Sequence, residues 1–241
     1  MFENIDHSTG DFTHTICTYQ EYIVEAVVAL SHSLKVYEKY NASTYKYSLI
    51  SELGIAELSC RYAFLMIANS LEASANGLLL SLKLSTSLHE ELEKLGTLIK
   101  YELFCQLKGK NLPRDNSSYK YVKEIIKCRN EFVHPKPEKI GIQETLAPNF
   151  GFSIDIKTTK ERKYPLHLGT LKPLHSLQAL QDVLKFTAWV TIDICNMTSD
   201  RASCDIGFGS FSISPDLIDL ERQSNVVFDK RTLGINESID L

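Results

Sequence analysis

Several things are missing from this sequence, and each absence narrows its function. The six cysteines (Cys17, Cys60, Cys105, Cys128, Cys195, Cys204) contain no Cys-x-x-C pair, which excludes the usual structural zinc spacings; most fall inside apolar helical patterns, where a reduced thiol behaves as a small hydrophobe. No His-x-x-x-His, His-Glu-x-x-His or carboxylate cluster with ligand spacing occurs, so no metal and no cofactor are expected. Met1 to Gly10 is polar and acidic, without the basic flank and apolar core of a secretory signal, and no later run reads as apolar for long enough to span a bilayer. A soluble, cytoplasmic chain with no membrane contact is the expectation. A strong charge of one sign is lacking too: the net charge of −4 gives no overall attraction to polyanions, so any such binding must come from a local patch.

What is present is helical periodicity. Apolar residues recur at intervals of three and four in Ile16, Tyr19, Ile23, Val27, Leu30, Leu34 and Tyr37, which predicts a first helix over about 16–40. A polar break at 41–44 precedes a longer pattern from Leu49 through Leu82, with Gly54 as a candidate division. Ser87 and Glu90 suggest a capping box for a third helix carrying Leu92, Leu95, Ile99, Leu103 and Leu107 on one face. Residues 108–118 have loop composition, and a further helix through Val122, Ile125, Ile126, Phe132 and Val133 stops at Pro135 and Pro137. Alternation at Phe150–Ile156 and Tyr164–Leu168 predicts a small hairpin over about 150–168, and a last strong helix covers about 176–197 with the single Trp189. With 44% apolar residues the chain can bury one sizeable core. The fold expected is all-α: an antiparallel helical bundle over 1–198 with a β-hairpin inserted before its last long helix, followed by a partly irregular extension over 199–241.

Chemistry concentrates at Lys127-Cys128-Arg129-Asn130-Glu131-Phe132-Val133-His134-Pro135, near the end of that fourth helix. Residues four apart share a helical face, so Asn130 and His134 stand together, with Arg129 on the flank beside them. Pro135 biases His134 away from helical geometry, which puts the imidazole at the helix end. A guanidinium can hold two phosphate oxygens and a histidine exchanges protons near neutral pH, a pairing suited to phosphodiester cleavage. Between Lys108 and Lys139 there are nine basic residues and four acidic ones, so the patch would attract a polyanion through Lys120, Lys123, Lys127 and Lys136, with Tyr119 and Tyr121 available to stack on bases. The spacing alone proves little. Arg162 and His167 repeat it inside the expected hairpin, where alternation would point the two side chains apart. The plain alternative at Arg129 is a solvated helix face with a capping histidine.

Arg129-Asn130-x-x-x-His134, late in a helix of an all-α chain, resembles the Arg-x(4-6)-His motif of the HEPN superfamily, in which a polar residue commonly follows the arginine. The acidic and amide stretch Ser70-Leu71-Glu72-Ala73-Ser74-Ala75-Asn76 is similar to one found on an earlier helix of that family. The resemblance spans roughly Ile16 to Met197. It implies a metal-independent endoribonuclease, a toxin or an antiviral-defence effector, working on RNA as a homodimer and paired with an antitoxin or defence-system partner protein. His134 would then move protons, Arg129 stabilise charge on the phosphorane, Asn130 position phosphate or imidazole, and Glu72 and Asn76 support the site. The competing expectation is a non-catalytic helical module that binds a partner protein or a nucleotide.

Overall fold

A helix whose second half is buried almost all round has to be the centre of a bundle, and Ile50–Leu80 is such a helix. In the computed structural model, residues 19–134, 163–165, 171–205 and 214–233 are described, with side chains left aside at 46, 204, 214 and 215; for 2–5, 12–15, 142–147 and 151–156 only the backbone is described. The helices are α1 (Tyr19–Ala42), α2 (Ile50–Leu80, entered through a 3-10 turn at Lys46–Leu49), α3 (Thr86–Glu93), α4 (Thr97–Leu107), α5 (Ser117–Val133), α6 (Pro173–Ala188), α7 (Ser199–Asp205) and α8 (Ser214–Ser224). The helical body is all-α.

The small residues Ala63, Ala68, Ala73, Ser74 and Ala75 let neighbouring backbones approach α2 closely, while Phe64, Ile67, Leu71 and Leu78 fill the space between helices. Each of those large side chains contributes about 2 kcal/mol of burial. Serines inside this layer are satisfied: Ser33 on α1 donates to the Ala56 carbonyl (2.8 Å), Ser176 on α6 to that of Cys60 (2.8 Å), and Ser70 to Ile67 one turn back (2.7 Å). The stretch Tyr47–Leu80 is long and apolar enough to cross a bilayer by length and composition, contrary to the sequence-based expectation, but just over half of its most apolar window is buried inside the protein.

Two further expectations change. The helix predicted from Ser87 to Leu107 is two helices, because Gly96 takes an extended conformation (φ −64°, ψ 147°) and restarts the chain as α4. The restart shifts the buried face to Thr97, Lys100, Tyr101, Phe104 and Cys105, leaving Ile99 and Leu107 half exposed. The cap of α3 is Ser85, not Ser87, and its side chain makes no capping bond. The hairpin predicted over 150–168 is not supported. Lys163–Pro165 is not strand: Tyr164 is fully buried, its hydroxyl bonds the Asp182 carboxylate on α6, and its carbonyl lies 3.8 Å from the Cys128 thiol of α5. Within the described part of that stretch Tyr164 is an aromatic side chain committed to the core; 166–168 lie outside the described residues. In backbone terms Gly151–Ile156 pairs antiparallel with the upstream Ile142–Ala147, and Phe2–Ile5 with Phe12–Thr15.

After Ala188, α6 continues as one π turn, Trp189–Ile194, and ends at Cys195 and the left-handed Asn196 (φ 54°). Beyond Thr198 the chain joins the core: Leu217 and Leu220 of α8 are buried, α8 packs on α1, and Phe228 and Leu233 are buried beyond it. Arg231 clasps this segment to the π turn, bonding Asp193 (2.6 Å) and Asp229 (2.8 Å).

Gly54 stands inside α2 with nothing within 4 Å of the place a Cβ would occupy. Gly54→Ala should stabilise the fold by about 1 kcal/mol. A urea titration reads this as a higher midpoint at unchanged slope; an unchanged midpoint would contradict a continuous helix through residue 54.

Candidate functional site

The site is assembled on α5. Asn116 caps the helix, its Oδ1 accepting from the Ser118 amide (2.8 Å), and Tyr119, Val122, Ile125 and Cys128 face the core. The phase this sets leaves Lys120, Lys123, Lys127, Asn130 and His134 at three- and four-residue intervals on the opposite, exposed side. A basic ridge therefore runs along the helix and ends in an amide and an imidazole. His134 is the C-cap, out of helical geometry (φ −127°, ψ 67°), and its backbone amide donates to the Asn130 carbonyl (2.9 Å).

Arg129 lies on the flank between ridge and core and is half-buried. Its Nε donates to Asn69 Oδ1 on α2 (3.3 Å) and its Nη1 to Asn130 Oδ1 (3.0 Å). Two amide oxygens from two helices thus hold the guanidinium plane beside the end of the ridge. Asn69 is absent from the sequence-based candidates, yet Asn69, Glu72 and Asn76 are the long polar side chains in the second half of α2 and recur at intervals of three and four, the signature of a polar strip.

Glu72 and Asn76 do not contact the Arg129 group. They hold Lys100 of α4, whose ammonium bonds the Glu72 carboxylate and Asn76 Oδ1 (2.9 Å); Thr97 donates to the other Glu72 oxygen. The Lys100 side chain is 1% exposed and that of Glu72 is 34% exposed, so a buried cation leans on a carboxylate that still reaches water. This pair fastens α4 to α2.

The expected base-stacking tyrosines are also committed elsewhere. Tyr119 is buried and donates to Glu102 (2.8 Å), which Arg114 grips with two nitrogens (2.8 and 2.6 Å). Burial tends to raise the Glu102 carboxyl, but its bonds from Arg114 and Tyr119 outweigh that and hold it below the ordinary carboxylate value. Tyr121 is half-buried beneath Lys163, whose ammonium lies 3.7 Å from the ring centroid. Lys136, Arg162 and His167 lie outside the described residues. At the start of α5 an open cavity of about 430 Å³ is lined by Asn116, Ser117, Gln181, Lys185, Trp189 and Arg231 among others. No group of three or more His, Cys, Asp or Glu side chains placed to hold a metal occurs among the described residues.

Compared with protein-family models, with curated proteins and with solved structures, the chain matches none.

Glu72→Gln leaves the buried Lys100 ammonium without its counter-charge and should destabilise by about 3 kcal/mol, the lower end for a broken buried pair because Glu72 keeps some contact with water. Adding Lys100→Met in the same chain should recover most of that loss in chemical denaturation. A double variant as unstable as the sum of the two single ones would show that the two groups are not coupled.

Proposed function

We propose that the chain is a metal-independent endoribonuclease of HEPN type, a toxin or antiviral-defence effector that cleaves RNA as a homodimer at Arg129, Asn130 and His134. The observation that carries this reading is the exposed ridge Lys120, Lys123, Lys127, Asn130 and His134, with the Arg129 guanidinium fixed beside its end. The lysines would track an RNA backbone along α5 and deliver a phosphodiester to the imidazole. There His134 would take the ribose 2′-hydroxyl proton or give one to the leaving oxygen. Arg129 would neutralise the charge that builds on phosphorus, and Asn130 would hold the phosphate.

A second copy finds support in α2. Ile55, Leu58 and Tyr62 are exposed to 56%, 61% and 45% and share a helical face with Asn69, the residue that anchors Arg129. An apolar row beside the motif suits an isologous dimer that brings two motifs to one cleft. A specific feature favours a second reading, the non-catalytic module binding a partner protein or a nucleotide: Arg129 spends two of its nitrogens inside its own chain, as a structural arginine does.

Purified protein should cleave single-stranded RNA in the presence of EDTA, and His134→Ala or Arg129→Ala should lower the rate by at least about 100-fold with the circular-dichroism spectrum retained; the melting temperature should hold in His134→Ala and fall slightly in Arg129→Ala, which loses the bond to Asn69. Equal cleavage by wild type and both variants would end the ribonuclease reading, and absence of cleavage by wild type would transfer support to the binding module. Replacing Lys120, Lys123 and Lys127 together by Gln should flatten the dependence of log affinity for single-stranded RNA on log salt by about 2, since each lost phosphate contact removes about 0.7 from the slope. An unchanged slope would place the RNA path off α5.

A further inference from the structure

Two thiols face each other at a distance from the α5 ridge. Cys105 is fully buried in the last turn of α4; Cys195 caps the π turn that extends α6 and is half exposed. Their sulfurs are 3.8 Å apart, although ninety positions separate them in the chain. Both stand where backbone can yield. After Cys105 the chain turns through Lys108 and Gly109 (φ 71°) and folds back so that the Lys110 amide reaches the Cys105 carbonyl (2.8 Å). Cys195 sits between a π turn and the left-handed Asn196. Closing the sulfurs to a bonded distance of about 2.05 Å asks for a small displacement of two helix ends, not of a helix interior.

We propose that Cys105 and Cys195 form a reversible oxidation site, with Cys195 as the sulfur attacked by hydrogen peroxide and Cys105 as the resolving thiol. The Cys195 thiolate attacks one peroxide oxygen, the O–O bond breaks, and the departing hydroxide collects a proton to become water. Cys195 is then a sulfenic acid. The Cys105 sulfur attacks the Cys195 sulfur, the S–O bond breaks, and the hydroxyl leaves with the Cys105 proton as a second water. Two thiols are oxidised to one disulfide, one peroxide is reduced to two waters, and a dithiol reductant reverses the change.

The division of labour follows from the surroundings. Cys195 is the one of the pair that solvent reaches. The hydrogen bond the two thiols share separates their acidities: it raises Cys105, with burial adding to the rise, and it lowers Cys195 against the effect of burial, helped by the positive charges of Lys108 and Lys110. Cys60 shows the contrast. It is buried, its sulfur lies 3.1 Å from the Glu57 carbonyl within its own helix, and burial pushes its thiol up to about 11. The bond would lock the end of α4 to the end of the π turn that extends α6, two helices that both pack on α2.

The test treats the reduced full-length chain with a slight excess of hydrogen peroxide, blocks the remaining thiols, and maps tryptic peptides without reduction. The expected result is a linked pair of peptides carrying Cys105 and Cys195, two hydrogens lighter than their sum and lost on adding dithiothreitol. Cys60 and Cys128 should stay reduced over the same interval. In Cys105→Ala a sulfenic acid should accumulate at Cys195, trapped there by dimedone. Oxidation of Cys195 no faster than Cys60, or joined to a cysteine other than Cys105, overturns the proposal, and both outcomes are read in wild-type protein even if the alanine variant does not fold.

Discussion

The burial of α2 is the constraint on which the other elements depend. A helix that packs against α1, α4, α5 and α6 can carry buried polar groups only where its own backbone or a neighbouring helix supplies a partner. Asn69 receives the Arg129 guanidinium, and Glu72 and Asn76 receive the Lys100 ammonium. Those two cation contacts tie α5 and α4 to the same helix. The Arg129 contact also helps fix how α5 is rotated, and that rotation decides which side chains it shows to solvent. The lysine ridge and His134 are outward because the apolar stripe from Tyr119 to Cys128 is inward.

Asp182 plays a corresponding role on the other side of the core. It takes the Tyr164 hydroxyl and the Lys163 ammonium (2.6 Å), while the Lys163 amide bonds Glu124 (3.1 Å), so a short non-helical segment is pinned between α5 and α6. The Lys163 ammonium lies over Tyr121, which helps fix the first half of α5 as Asn69 fixes the second. The helix that carries the candidate chemistry is thereby held at both ends by charge-assisted contacts, the kind of support a site needs if its groups are to keep their geometry.

Much of this was legible in the residues. The periodicity of α1, α2, α5 and α6 marks them as helices, and the spacing of Asn130 and His134 places them on a shared face. What misled was local. An apolar count cannot see that Gly96 starts a new helix, and without that restart Lys100 reads as a surface lysine and Ile99 as core. Tyr164 and Leu166 alternate as a strand does, but so short an alternation is weak evidence, and Tyr164 itself is an anchor in the core outside any strand. Asn69 shows in the sequence only through its register with Glu72 and Asn76, and its partner, sixty residues away, appears only in the folded chain. The Cys105–Cys195 approach is of the same kind: each thiol reads as a small core hydrophobe, and only the folded chain brings them face to face.

The packing of α8 on α1 has a consequence for how the protein is made. On a ribosome α1 is made before α8, and part of its apolar surface stays uncovered until Leu217 and Leu220 arrive. The nascent chain must therefore carry a sticky, half-dressed α1 until α8 follows, and closure of the core is governed by contacts distant in sequence. A chaperone that shields α1 would act on the step most exposed to misassembly.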